Sequence, residues 1–385
     1  MNKKNNFNSI WPTFSKSELK KVNQVLKSGK VNYWTGEYCK LFEKKYSKYH
    51  QVKYCVTVNS GTSALDCAIK SLNLKKGSEI ITTPRSYYTS ASSIINSGMK
   101  PKFIDISIDT QNLDPESLKN SITKKTKAII CVHLAGNPCD MDKIMRIAKK
   151  FKILVIEDCS QAHGAKIKTK LVGSFGDVAI WSFCQDKIIS TGGEGGMIAT
   201  NKLKIYNQIL SIKDNGRNYQ KLKNINYSGT FNYIHDFIGN NYRMTEIQAV
   251  IGISQLSRLD EMIKKRNRNV LIFKKYLGDL HQITFLKYPS ENLNSFYRFY
   301  FFVKLKKHQK ILINNIRKYG IDCMAGSCPE IYLEKYFKNN FNFKRLPVSR
   351  FIGERSICLK VDQTINKNII EQHAKIIKKE IIKLG

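Results

Sequence analysis

No apolar run in this chain approaches the roughly 18–20 residues that a membrane-spanning helix needs. Its start, MNKKNNFNSIW, lacks the apolar core of a secretory signal. A cytoplasmic protein is therefore the expectation. Ten cysteines are scattered along 385 residues, and the only close pairs, Cys131/Cys139 and Cys323/Cys328, lack the C-x₂-C spacing of zinc sites. A chain of this length also needs no disulfide stapling, so reduced and mostly buried thiols are expected. No segment matches a Walker A loop or the Rossmann G-x-G-x-x-G fingerprint. Internal repeats and low-complexity tracts are missing too.

Acidic residues are scarce. Thirty Asp and Glu against 65 Lys and Arg leave a net charge of +35. Such an excess suits nucleic acid, an anionic membrane surface or anionic ligands. The lysines, however, are spread over the whole chain among many Ile and Asn. They form no dense block and accompany no helix-turn-helix, zinc-finger or RNP-like pattern. Solvated lysine-rich faces are the preferred account, with neither nucleic acid nor membrane as a specific partner. A basic nucleic-acid-binding regulator is the alternative, and the charge is its only support.

What is present is a pattern. The chain is 42% hydrophobic and 11% aromatic, enough for one large domain and a smaller one. Between residues 53 and 200, short apolar runs alternate with amphipathic stretches. Lys53–Val58, Glu79–Thr82, Lys102–Ile106, Lys127–His133, Ile153–Glu157, Val178–Phe183 and Gly196–Thr200 read as strands. Thr62–Leu72, Tyr87–Asn96, Pro115–Ser121 and Met141–Lys150 read as helices, the last two capped by Asp114 and Asp140. This βαβα alternation predicts a largely parallel sheet with helices on both faces. A polar, aromatic loop is expected over Asn218–Gly239, then one long helix from Thr245 to about Asn267. A second α/β pattern follows: strand Phe299–Leu305, helix His308–Tyr319, strand Ile357–Val361 and a helix from about Asn366.

Three fragments carry chemistry. In SFCQDKIISTGGEGGM (182–197), Lys187 lies just past an apolar strand and before a glycine cluster, where backbone can approach a ligand. Asp158 ends the strand ILVIED, at the sheet edge where α/β folds place ligands, and a buried carboxylate there needs a partner. VNSGTSAL (58–65) is a strand–Gly–helix junction whose free N–H groups suit a phosphate, with capping by Ser60 or Thr62 as the plainer alternative. A carbonyl-binding lysine, a carboxylate for a pyridine nitrogen and a phosphate cradle form the set that pyridoxal 5′-phosphate (PLP) requires.

The chain resembles the sugar aminotransferases of the DegT/StrS family, which share the fold-type I PLP architecture. The likeness runs from WTGEYCKLFE (34–43) through CVHLAGNPCDMD, VIEDCSQAHGA, GSFGDVAIWSFCQDKIISTGGEGGM and GNNYRMTEIQA to LPVSRFIGERS (346–356). It implies a large PLP-binding domain over 1–250, with a segment of about 1–45 packing on a small C-terminal α/β domain over 251–385. It also implies transfer of an amine, from glutamate, to a keto-sugar nucleotide for amino-sugar or surface-polysaccharide synthesis, including lipopolysaccharide. The nucleotide and the position of the keto group stay open.

Residue by residue, the resemblance makes Lys187 the Schiff-base lysine and acid–base group, with a pKa well below its usual range. Asp158 faces the pyridine nitrogen, Gln161 lies near the ring, and Tyr88 stacks on it. Gly61, Thr62 and Ser182 bind the phosphate, and Asn241 reaches it from the other subunit of a homodimer with shared sites. His163 and Glu194 share these motifs without an assigned role. Asn215 and Asp362 stand where many relatives have histidine, in regions that would border the sugar-nucleotide site. Arg217, Tyr297 and Arg298 are possible substrate contacts. Related sugar dehydratases carry histidine in place of the Schiff-base lysine, so Lys187 favours transamination over that alternative.

Overall fold

A computed structural model describes residues 9–223 and 230–385. Thirteen strands form among these residues: Tyr54–Val58 (β1), Glu79–Thr82 (β2), Lys100–Phe103 (β3), Thr126–Val132 (β4), Leu154–Asp158 (β5), Lys166–Ile167 (β6), Lys170–Leu171 (β7), Val178–Ser182 (β8), Gly196–Thr200 (β9), Ile283–Phe285 (β10), Phe299–Val303 (β11), Cys323–Met324 (β12) and Ser356–Leu359 (β13). Seven make one sheet in the order β1-β9-β8-β5-β4-β2-β3. The neighbours from β8 to β3 are parallel, whereas β9 runs antiparallel to both β8 and β1. Strands β8 and β9 are buried along their whole length, which explains their unbroken apolar sequences VAIWS and GMIAT. A second, wholly antiparallel sheet has the order β10-β11-β13-β12 and its own core around Phe273, Phe299, Phe301, Leu312 and Ile357.

Local chemistry sets the helix starts. The side chains of Asp114 and Asp140 accept hydrogen bonds from the Ser117 and Lys143 amides, as their cap positions predict. Thr245 and Gln248 form a capping box at the helix Glu246–Leu256. The one long helix expected there is in fact two, the second spanning Leu259–Leu277. Between them Ser257 bonds back to the Ser254 carbonyl (2.8 Å). Arg258 leaves helical geometry and reaches Glu18 of the N-terminal helix Lys16–Ser28 (2.6 Å). That long-range ion pair has no local signal in the sequence.

The third strand also sits earlier than expected, at Lys100–Phe103. It is an edge strand bonded only to β2, which tolerates Pro101. Of the loop expected at 218–239, residues 224–229 lie outside the described ones, and a short helix, Tyr219–Lys223, precedes them. The N-terminal segment packs its helices Lys16–Ser28 and Tyr38–His50 against Glu246–Leu256. It also touches Thr364, whose hydroxyl accepts from the Ile10 amide (3.3 Å). All ten cysteines are free, and eight are buried. No helix among the described residues is long and apolar enough to cross a membrane.

Candidate active site

A cleft of about 720 Å³ opens where the C-terminal ends of β5 and β8 meet the helix that follows β1. Its walls carry Gly61, Thr62, Asp158, Gln161, Ser182 and Lys187, six of the residues singled out from the sequence. The second sheet closes the cleft with Tyr297, Arg298, Tyr300 and the turn Gly326–Cys328.

One end of the cleft is built for an anion. Ser60 caps the helix Gly61–Ser71, its hydroxyl accepting from the Ser63 amide (3.1 Å). The first intrahelical bond is made by Ala64, so the Gly61 and Thr62 amides precede it with no acceptor inside the helix. Ser60, and not Thr62, is thus the cap. Gly61 also packs against β8 so closely that a Cβ on it would lie 2.5 Å from the Cβ of Ser182. Only glycine lets the helix start and the Ser182 hydroxyl converge on one point, and this geometry fits a phosphate.

At the other end, Lys187 is carried by the hairpin between β8 and β9. Its amide bonds the Cys184 carbonyl (3.0 Å), and its carbonyl accepts from the Trp11 indole (2.8 Å). Gly192 and Gly193 turn the hairpin with positive φ (89° and 132°), a conformation that favours glycine. The Lys187 Nζ lies 3.7 Å from the Asp186 carboxylate and 4.8 Å from the Tyr297 ring centre. Burial pulls the lysine's pKa down, but Tyr297, Asp186, Cys184 and Asp158 outweigh it, and the net shift is upward. The lowering that burial produces is therefore outweighed among the protein's own groups, three of which lie within the 184–187 turn or lead into the second sheet.

Asp158 is buried, and the hydrogen bond it receives is the Ser160 amide's, at 3.0 Å. Burial pushes its pKa up, and the Ser160 bonds, Lys187 and His133 offset this only in part. Among the described residues no cation makes an ion pair with this carboxylate on the cleft wall, and a protonated pyridine nitrogen would supply one. Gln161 gives its amide oxygen to the Ala135 N–H (2.8 Å), which orients its NH₂ group for the cleft. The set fits PLP.

Behind these residues lies a supporting layer. His163 is fully buried and bonds the Ser182 carbonyl through Nε2 (3.0 Å), so it fixes the end of β8. The buried cluster of His133, Glu157 and Cys159 has metal-ligand chemistry, yet its lone pairs are taken. His133 Nδ1 accepts from the Cys139 amide (3.0 Å), which leaves the proton on Nε2 to meet Glu157 (3.2 Å). Glu157 also accepts the amides of Gly173, Phe175 and Gly176 at 2.7–2.8 Å. This is a structural lock.

Not every expected residue joins the cleft. Tyr87 and Thr89 line it on either side of Tyr88, whose ring meets Phe337 edge-on (5.6 Å). Asn241 is exposed and pairs with Asp214, away from this chain's cleft. Arg217 lies over the Trp34 ring and beside Asp214. Asn215 is an exposed turn residue with φ 57°, and Asp362 is tied up by Thr364. Glu194 does line the cleft, as do Asp186 and Cys184, which the sequence reading passed over. The Gly326–Ser327 turn was also missed, although its small polar residues were a signal.

Fold and site together define a fold-type I PLP-dependent sugar aminotransferase. A profile of the DegT/DnrJ/EryC1/StrS aminotransferase family matches residues 12–378, and the chain belongs to that family. It is 34% identical over 352 residues to GDP-perosamine synthase of Escherichia coli O157:H7, covering 90% of this chain and 91% of that one. The X-ray structure of an aminotransferase from Psychrobacter cryohalolentis is similar with a TM-score of 0.94 at 38% identity, over 97% of this chain and 99% of that chain. An E. coli GDP-4-keto-6-deoxy-D-mannose-3-dehydratase with bound hydrated PLP has a TM-score of 0.86 at 28% identity, over 95% and 97% of the two chains.

Proposed function

We propose that this enzyme moves an amino group from glutamate to a keto-sugar nucleotide, making an amino sugar for a surface polysaccharide. The observation that carries the reading is the convergence of Lys187, Asp158 and the Gly61–Ser182 cradle on one cleft. The naming of a relative at 34% identity as a GDP-perosamine synthase supports the substrate class. The dehydratase similarity shows that the fold alone does not choose the reaction. Lysine at position 187, in place of the histidine expected of a dehydratase, favours amine transfer.

When bound, PLP supplies an electron sink for the carbanion formed at the substrate carbon. The protein's residues do the rest. The Gly61 and Thr62 amides with the Ser182 hydroxyl would hold the phosphate, and the buried Asp158 carboxylate would keep the ring nitrogen protonated. The Lys187 amine would be the base that takes a proton from the substrate carbon and returns it. Asn241, exposed on this subunit, would complete the cradle of a second subunit in a homodimer with shared sites.

Purified protein should absorb in the visible when loaded with PLP, and glutamate should bleach that band. Screening keto-sugar nucleotides of GDP, UDP and dTDP for amine transfer then identifies the acceptor. Wild-type turnover in Lys187→Ala would overturn the assignment.

A further inference from the structure

The residue immediately before the cofactor lysine is an aspartate whose carboxylate occupies the same cleft wall. Its Oδ1 lies 3.7 Å from the Lys187 Nζ, and its Oδ2 accepts a hydrogen bond from the Tyr297 hydroxyl. Tyr297 comes from the segment leading into β11 of the second sheet, so the brace crosses from one sheet to the other. The same tyrosine presents its ring to the lysine at 4.8 Å and to Arg298 at 5.1 Å. The Lys187 backbone is pinned by Cys184 and Trp11, so only its side chain is left to swing.

We propose that Asp186, braced by Tyr297, is a positioning residue that draws the free Lys187 amine to the cleft wall and stabilises its ammonium form. The proposal rests on Lys187 being the cofactor lysine. In the proton-transfer step, the substrate C–H bond breaks, its electron pair stays on the substrate carbon, and an N–H bond forms on Lys187. That uptake creates an ammonium, and the carboxylate 3.7 Å away favours it. The Tyr297 hydroxyl keeps its own proton, since burial pushes its pKa up. By donating it to Oδ2, the phenol holds the other carboxylate oxygen toward Nζ.

The charges around this pair are known. Asp158 and Cys184 also face Lys187, Glu194 faces Cys184, and Arg298 faces Asp186 from the second sheet. Asp158 sits at the end of β5 and Asp186 in the 184–187 turn, so the two carboxylates approach the amine from different elements. The side chain of Asp186 is 43% exposed against 16% for Lys187, so water screens the pair and its effect stays moderate.

The test measures the lysine itself, not turnover. In cofactor-free, full-length protein, acetic anhydride labelling of Lys187 is followed by peptide mass spectrometry from about pH 6 to about 11. Asp186→Asn should lower the labelling midpoint by about one pH unit, so Lys187 labels about tenfold faster near neutrality. Asp186→Glu should restore most of the wild-type midpoint, and Tyr297→Phe should lower the midpoint as well. Thermal melts confirm that each variant is folded. An unmoved midpoint in Asp186→Asn overturns the proposal. If that variant does not fold, an unmoved midpoint in Tyr297→Phe overturns it instead. Since no cofactor is present, failure here is distinct from failure of PLP to bind or of amine transfer to occur.

Discussion

Glu157 and Asp158 are neighbours on one strand, and they are opposites. The oxygens of Glu157 receive one imidazole and three backbone amides, and these bonds outweigh the cost of its burial to hold its pKa below the usual carboxylate range. Asp158 receives one amide from Ser160, and burial pushes its pKa up. Successive side chains on a strand point to opposite faces, so one residue's offset separates the two environments. A buried carboxylate whose lone pairs are filled by the protein holds the fold together. One that faces a cleft with its bonds unfilled is reserved for a ligand.

Four experiments sharpen or break this contrast. The largest effect belongs to the cleft: Lys187→Ala should reduce amine transfer by at least about 10⁴-fold and abolish the visible band of bound PLP, with little change in melting temperature. Asp158→Asn comes next. It should lower turnover on the order of 10²–10³-fold, the scale of losing a preorganised charge, while chemical denaturation stays near wild type. Glu157→Gln should do the reverse. Four donors then face a group that has one acceptor oxygen and an NH₂, and stability should fall by about 3 kcal/mol with turnover per folded molecule preserved. If Glu157→Gln cost activity and Asp158→Asn cost stability, the contrast would be wrong.

The last test is in pH. Burial lowers His50 and His163 to about 3 in the folded protein, against about 6.5 when unfolded. The unfolded chain therefore binds more protons between these values, and stability rises with pH across that window. Their contribution is complete above about 6.5 and lost progressively toward about 3. Urea titrations at several pH values should show that slope, and it should be shallower in His163→Gln.

Much of this was legible in the sequence. Strands β1, β2, β8 and β9 were clear because buried strands read as unbroken apolar runs with Gly and polar residues at their ends. Lys187, Asp158 and Gly61 were found because each follows or ends such a run. Asp186 and Tyr297 stayed hidden as a pair, since 111 positions separate them and only the packing of two sheets joins them. The split of the long helix at Ser257 coincides with the Arg258–Glu18 pair, whose members lie 240 positions apart. The upward shift of Lys187 is a different case: Asp186 and Cys184 adjoin it in sequence, but only the fold brings them, Tyr297 and Asp158 toward its amine.

The edge position of β1 has a consequence for how the chain is made. Its sheet partner is β9, with Val58 opposite Gly196, and that partner leaves the ribosome about 140 residues later. Until then β1 lacks its neighbour in the sheet, although the helix that carries Gly61 packs directly on β8 and Ser182. The place of β1 in the sheet is in this sense a late product of synthesis, completed by one antiparallel strand.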